Sequence, residues 1–197
     1  MRATLAPELQ MTVEEFLAFA DSRPDEERWE LIEGRPVMNP SPTNFHQLIT
    51  TNVVAALVRL KLENDALWLP LIGIGTRVPA SANSLPQPDV LVLERPPGAE
   101  PSPVTDDALV LFEVLSESNT KADQAWRRRV YASVPNCRHY VTVSQNEIGV
   151  TRYDRSSQWE PATMKRLKEV LALPALGVKI AIPLAEIYRW TPLGNAD

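Results

Sequence analysis

The feature that most constrains this chain is an apolar run, Ala108–Leu115 (ALVLFEVL), whose only charged residue is Glu113. Such a run predicts a strand in the middle of a sheet with both faces buried. An ionised carboxylate in that position costs free energy unless a cation or a salt bridge compensates it. Glu113 is therefore a candidate metal ligand or a buried ion-pair partner, and an exposed edge position is the ordinary alternative for a strand glutamate.

A second carboxylate precedes another predicted strand. Asp89 follows Pro88 and leads directly into the apolar segment Val90–Leu93. Taken alone, Asp89 fits a turn or cap residue equally well. Neighbouring strands can place Asp89 and Glu113 within reach of one hard cation. A cation held this way suits phosphodiester hydrolysis, because it polarises the phosphoryl group and lowers the pKa of a bound water.

The composition limits which metal and which compartment are plausible. The chain has 197 residues, a single cysteine and two histidines, which argues against a disulfide, a multi-cysteine zinc site or a histidine-rich site. Oxygen ligands then favour Mg²⁺ or Mn²⁺. No apolar run approaches the roughly 20 residues of a membrane span, and the N-terminus lacks the apolar core of a secretory signal. The sequence therefore predicts a cytoplasmic protein that does not enter a membrane.

The net charge of -5 bears on the substrate. Proteins that grip long duplex DNA usually carry a broad basic surface. Three alternatives follow: a local basic patch such as Arg127–Arg129 binds the nucleic acid, the substrate is small or single-stranded, or a partner supplies positive charge.

Periodicity and turn residues predict a single α/β (α+β) domain. Thr12 and Glu15 form a capping box for a first helix, and Gly34 marks a turn between two short strands. Asn44, with Gln47, is predicted to cap a second helix that ends near Asn64. The later predicted elements are strands at 68–74, 76–78, 89–93, 108–115, 139–143, 149–153 and near 178–182, and helices at 121–133 and around 184–188. The strand–helix–strand order at 108–143 predicts a mixed sheet with a right-handed crossover.

Several of these segments together resemble one family. Pro88-Asp89, followed 24 residues later by Glu113, resembles the PD-(D/E)XK nuclease superfamily, and the wider pattern is similar to its Uma-two branch of restriction-endonuclease-like proteins. The resemblance extends from about Thr12 to Tyr188. Its further pieces are Trp29–Gly34, Pro40–Pro42 with His46-Gln47, Gln87–Val90, Glu113–Ser116 with Ser118, Asp123 and Tyr131, and Leu184–Ile187.

The resemblance implies a restriction-endonuclease-like fold, a mixed β-sheet flanked by helices, over residues 12–190. Residues 1–11 would be a flexible N-terminus and 191–197 a C-terminal tail. It implies a hydrolase, a Mg²⁺- or Mn²⁺-dependent endonuclease acting on DNA. Asp89, Glu113 and the main-chain carbonyl of Val114 would bind the metal, and Glu30 would orient water or help to hold the cation. Glu33 is the alternative to Glu30, and either glutamate could instead be a solvated charge beside the turn.

One position departs from the family pattern. The motif lysine would stand at Leu115, but the family places it on the next helix, at the position that matches Arg127. Arginine keeps the positive charge and can clamp a phosphate, yet it does not deprotonate and cannot act as a general base. A helical i,i+4 ion pair with Asp123 is the alternative role for Arg127, and Lys121 is another source of the missing lysine. A non-catalytic member that binds nucleic acid or protein is therefore the alternative function.

The remaining candidates concern the substrate and a partner chain. His46, Gln47, Ser116 and Arg128 are candidate substrate-binding residues. His46 and Gln47 begin a helix, whose N-terminus favours anions, and Arg128 belongs to a basic run that favours phosphate. Ser116 could instead brace Glu113. Their alternatives are capping, turn formation and a solvated helix surface. A homodimer is a further expectation, since many nucleases of this fold cut two strands as dimers.

Overall fold

The computed structural model describes residues 10–94, 101–116, 119–177 and 180–195. Its α-helices are α1 (Val13–Asp21), α2 (Asn44–Glu63), α3 (Lys121–Ala132) and α4 (Leu184–Ile187). Its strands are β1 (Arg28–Ile32), β2 (Arg35–Asn39), β3 (Leu69–Leu71), β4 (Gly75–Thr76), β5 (Val90–Leu93), β6 (Val104–Thr105), β7 (Val110–Leu115), β8 (His139–Ser144), β9 (Val150–Asp154), β10 (Pro161–Met164), β11 (Val170–Ala172) and β12 (Ala181–Pro183). Short 3₁₀ turns cover Arg155–Ser157, Pro174–Leu176 and Pro192–Asn195.

The central sheet has the strand order β10-β9-β8-β7-β5-β3. β7 is parallel to β8, to which α3 connects it, and antiparallel to β5. Every residue of β7 except Leu115 is buried. The predicted mixed sheet with a central apolar strand is therefore confirmed, and Glu113 is a core position rather than an exposed edge.

Alternate residues of β7 serve two different cores, because successive strand side chains point to opposite faces of a sheet. Phe112 and Val114 pack with α2 and with the C-terminal segments around α4. Leu111 packs on the other face with the α3 residues Val130 and Tyr131. Glu113 has the same parity as Leu111 and so projects toward α3.

The β1–β2 hairpin supports the edge of this arrangement. Its turn residues Glu33 and Gly34 have φ angles of 49° and 79°, the left-handed pair required by the commonest two-residue hairpin turn. Leu31 forms an isolated antiparallel bridge with Leu85, which docks the hairpin on the segment leading to Asp89. Glu30, next to that bridge, is only 1% exposed.

Two details of the helices differ from the sequence prediction. Thr43, not Asn44, caps α2: its backbone is extended and its side chain accepts the His46 N–H, while Asn44 already belongs to the helix. In α3, the buried face contains Arg127 together with Val130 and Tyr131. A buried arginine was not expected because periodicity assigns charged residues to the solvent side.

The strand near residue 70 is also shorter than predicted, since the hydrogen-bonded part covers only Leu69–Leu71. Of the strand predicted at 178–182, residues 178–179 lie outside the described residues, and pairing is seen at Ala181–Pro183. Residues 1–9 and 196–197 lie outside them as well, so the flexible terminus and the tail stay predictions. No described helix is long and apolar enough to cross a membrane.

Candidate active site

The strand register brings Asp89 and Glu113 together. In the antiparallel β5–β7 pair Val90 lies opposite Phe112, so the next positions along the two chains are Asp89 and Glu113. The Cβ atoms of directly opposed residues lie about 4.5–5.5 Å apart, and their side chains share one face. The Val114 N–H donates to Asp89 Oδ2 at 2.7 Å, which fixes that carboxylate beside β7. The two acids proposed from the sequence therefore face each other.

α3 delivers a cation to the same place. Thr120 and Asp123 form a capping box that starts the helix, and Arg127 follows one turn later. Arg127 Nη1 and Nη2 bond to Glu30 Oε1 and Oε2 at 3.1 and 2.7 Å, and Nη1 also bonds to Glu113 Oε1 at 2.9 Å. Arg127 thus bridges two carboxylates that stand 83 positions apart in the sequence.

A tyrosine one helical turn further on completes the contacts of Glu113. Tyr131 O–H donates to Glu113 Oε1 at 2.7 Å, and Arg127 Nη1 lies 3.2 Å from the Tyr131 oxygen. Tyr131 belongs to the segments that resemble the family, but no role at the site was predicted for it. Its spacing of four residues from Arg127 could have predicted this position, because residues four apart on a helix are neighbours.

The pKa values of Glu30 and Glu113 are shifted in opposite directions. Burial disfavours the charged form of Glu30, but the charge and hydrogen bonds of Arg127 outweigh burial and lower its pKa. For Glu113, burial prevails over the attraction of Arg127, and the nearby charges of Asp89 and Glu30 add to the effect, which raises its pKa to about 8. Burial would lower the pKa of Arg127, yet the two glutamates raise it well above its usual value. One guanidinium therefore lies among three carboxyl groups and bonds to two of them, so the site holds more acidic than basic side chains.

These residues line a pocket of about 640 Å³. Among the residues proposed from the sequence, those that line it are Glu30, His46, Asp89, Glu113, Val114, Ser116 and Arg127. Gln47 instead lines a second cavity along α2, and the Arg128 guanidinium lies 5.3 Å above the Tyr153 ring. The structure does not bring Gln47 or Arg128 to this pocket.

Glu33 and Lys121, the two alternatives that the sequence left open, both lie outside the pocket lining. Glu33 is exposed and accepts a hydrogen bond from Trp126 Nε1 at 3.0 Å, outside the pocket lining. Lys121 is exposed at the start of α3 and does not line the pocket. The geometry thus favours Glu30 over Glu33, and Arg127 over Lys121, as the groups beside Glu113.

His46 contacts the other carboxylate. Its Nε2 lies 3.3 Å from Asp89 Oδ2. Among the described residues, no hydrogen-bond partner reaches its buried Nδ1. His46 occupies this position because Thr43 begins α2 with His46 in the first turn. The helix start therefore directs an imidazole onto Asp89.

The donor set at the site fits one kind of cation. Within the described parts of the chain, no three His, Cys, Asp or Glu side chains converge closely enough to bind a metal by themselves. Asp89 and Glu113 are opposed carboxylates, and Val114 lines the same pocket. In an extended strand the C=O of a residue points to the same side as its N–H, so the Val114 carbonyl faces the Asp89 side of β7. Two carboxylates, a main-chain carbonyl and water suit Mg²⁺ or Mn²⁺ and do not suit a closed zinc site.

The raised pKa of Glu113 predicts how stability depends on pH. The carboxyl ionises near 4.5 in an unfolded chain and near 8 in the folded protein. Between these values the folded protein holds a proton that the unfolded chain has lost, so the free energy of unfolding falls as the pH rises. The contribution is fully present below about 4.5, falls by up to about 1.4 kcal/mol per pH unit, and is absent above about 8.

Urea unfolding of wild type and Glu113→Gln between about pH 5 and 9, in a metal chelator, measures this contribution. The wild type should lose stability relative to the variant as the pH rises, because glutamine has no proton to release. Parallel pH profiles for the two proteins would show that Glu113 is ionised throughout.

A comparison with solved structures shows the class to which this fold belongs. The chain matches a DUF820 protein from Anabaena variabilis ATCC 29413, described as a putative nuclease, with a TM-score of 0.74 and 16% sequence identity. The match covers 91% of this chain and 98% of that chain. At this identity the likeness shows the fold alone: a restriction-endonuclease-like mixed sheet flanked by helices.

The family follows from the sequence match. Residues 13–185 match the Uma2 (Uma-two) family, whose description is "Putative restriction endonuclease". The chain belongs to the Uma2 family, and the resemblance drawn from its motifs is confirmed. No curated protein matches the chain.

Proposed function

We propose that this protein is a Mg²⁺- or Mn²⁺-dependent endonuclease that hydrolyses phosphodiester bonds in DNA. The observation that carries the proposal is the position of Asp89, immediately before β5, beside Glu113 on β7, in a site with three carboxyl groups and one guanidinium. A phosphodiester entering this pocket would add a further negative charge. A divalent cation supplies what both the carboxylates and the substrate need.

Each residue of the site has a separate task in this proposal. Asp89, Glu113 and the Val114 carbonyl would hold the cation, which when bound polarises the phosphoryl group and lowers the pKa of water. Glu113 Oε1 already accepts from Arg127 and Tyr131, so its other oxygen, Oε2, is the candidate ligand atom. Glu30 anchors Arg127 through a two-point contact.

Arg127 is a positioning residue whose charge also acts on the phosphate. It orients Glu113 and contributes positive potential, but it cannot take a proton from water. His46 orients Asp89 through its Nε2 atom. Ser116 lines the pocket and is within reach of a bound substrate.

A non-catalytic binder of nucleic acid or protein is the second candidate function. The observation that favours it is the closed contact of Arg127 with Glu30 and Glu113, with all three side chains at least nine-tenths buried. Such a buried ion pair can serve structure alone, and arginine replaces the lysine of the family motif.

Cleavage assays with an Arg127→Lys variant separate the two functions. Lysine is a compact point charge whose pKa can shift when it is buried. It would contact Glu113 less tightly than the arginine does, and it restores the residue of the family motif. We expect Mn²⁺-dependent cleavage of plasmid and single-stranded DNA by wild type, and faster cleavage by Arg127→Lys. The matched control is Arg128→Lys, the adjacent exposed arginine, which should cleave as wild type does.

No cleavage by folded wild type and folded Arg127→Lys would support the non-catalytic binder.

The homodimer stays a prediction. The outer side of α2 carries exposed Val58 and Leu62 beside exposed Ile72, an apolar surface of the kind that a second copy can cover.

A further inference from the structure

We propose that the substrate segment that enters the pocket is unpaired, and that Phe45 stacks on a base next to the phosphate at Asp89 and Glu113. This inference rests on the proposed function, since it assumes that the pocket accepts a nucleic-acid phosphate. It adds the substrate class and a residue that determines specificity.

The acidic group lies deep in the pocket. Glu30 is 1% exposed, Glu113 6% and Arg127 7%, so a phosphate must enter the pocket to reach them. A single strand bends into such a recess more readily than a duplex, which is stiff over about 150 base pairs. Enzymes that act on a base inside a pocket take single strands or extrude the nucleotide from the duplex. The pocket volume of about 640 Å³ falls in the range of small-ligand sites and accommodates a nucleotide.

Several of the exposed arginines are already paired with carboxylates. Duplex affinity comes mainly from lysine and arginine contacts with phosphates. Here many surface arginines have a carboxylate within 4 Å: Arg23 with Glu27, Arg59 with Glu63 and Glu186, Arg77 with Glu14, Arg129 with Glu33, and Arg166 with Glu169. These ion pairs and the net charge of -5 disfavour binding to the phosphates of a duplex backbone.

The pocket is lined by one exposed aromatic ring and by several uncharged polar side chains. Phe45 is 39% exposed, lines the pocket, and immediately precedes His46, which contacts Asp89. An aromatic ring at a nucleic-acid site supplies a stacking surface for an unpaired base. The rim also presents uncharged polar side chains that can hydrogen-bond to base edges: Asn39, Ser41, Asn44, Asn119, Gln145 and Asn146. Recognition through stacking and amide contacts suits an exposed base better than a phosphate backbone.

The test compares the binding of a fluorescein-labelled single strand of about 12 nucleotides with that of the matching duplex. Binding is measured by fluorescence anisotropy in a buffer that contains Ca²⁺. Wild type should bind the single strand at least about tenfold more tightly than the duplex. Phe45→Ala should weaken single-strand binding by about 5- to 100-fold, because one base–aromatic stack is lost. Phe45→Trp should restore it, since a ring is again present.

Trp190→Ala is the matched control, because Trp190 is also an exposed aromatic residue, at 71%, and does not line the pocket. Circular dichroism establishes that each variant is folded. Equal or tighter binding of the duplex, single-strand binding by Phe45→Ala that equals wild type, or no binding of either probe would overturn the inference.

The binding assay tests this inference, whereas cleavage in Mn²⁺ tests the proposed function, so the two can fail separately. Ring-dependent single-strand binding without any cleavage would leave the inference standing and remove the enzyme activity. Cleavage by a protein that prefers the duplex would do the reverse.

Discussion

Replacing Arg127 by methionine should lower the free energy of unfolding by about 3–5 kcal/mol, the cost typical of removing one partner from a buried ion pair. Arg127 is 7% exposed and bonds to Glu30 with both terminal nitrogens. Without it, burial would act on Glu30 with no guanidinium to offset it, so the carboxylate would either stay charged at a cost in free energy or take up a proton. Denaturant unfolding at neutral pH measures the loss.

Two further variants show whether this loss has the stated cause. Arg128→Met changes the adjacent residue, an exposed arginine over the Tyr153 ring, and should cost no more than about 1 kcal/mol. Adding Glu30→Gln to Arg127→Met should recover part of the loss, because the uncompensated charge is removed. Equal effects of Arg127→Met and Arg128→Met would contradict the buried ion-pair account.

Replacing Glu113 by glutamine should reduce Mn²⁺-dependent cleavage by about 10³-fold or more, because several kcal/mol of metal-dependent stabilisation are lost. Glutamine has the shape of the protonated glutamic acid and can still accept from Tyr131, so the fold should persist. The variant lacks the negative charge that a cation requires. Initial rates on plasmid DNA, with circular dichroism for the fold, measure the effect.

Glu33→Gln is the matched control for this variant. Glu33 is an exposed glutamate of the β1–β2 turn that contacts Trp126 outside the pocket, so its loss should leave the cleavage rate within about twofold of wild type. If Glu113→Gln cleaves as fast as Glu33→Gln, the observed activity comes from another site or from a contaminant.

The sequence predicted the fold and the two opposed carboxylates because their signals are local. The apolar run around Glu113 defines a central strand, and the Asp89 segment defines its neighbour. A short strand such as β10 (Pro161–Met164) was missed because its residues are mostly exposed and carry no apolar alternation. Its pairing with β9 depends on the sheet that is already present.

The environment of Arg127 could not be predicted from the sequence in the same way. Helical spacing offered only the local pair with Asp123, whereas the Asp123 carboxylate accepts from the Thr120 N–H and hydroxyl at the start of α3. The contact with Glu30 depends on the β1–β2 hairpin docking through Leu31 and Leu85, a long-range event. The pocket position of Phe45 likewise depends on how α2 begins, at Thr43 rather than at Asn44.

The central claim is that Asp89 and Glu113 together bind one divalent cation. Titration of the protein with Mn²⁺, followed by electron paramagnetic resonance of the free ion, tests it without any need for catalysis. The account predicts one Mn²⁺ per chain for wild type, with binding lost in both Asp89→Asn and Glu113→Gln and kept in Glu33→Gln. Retention of that ion by both folded site variants, or no binding by wild type, would contradict it.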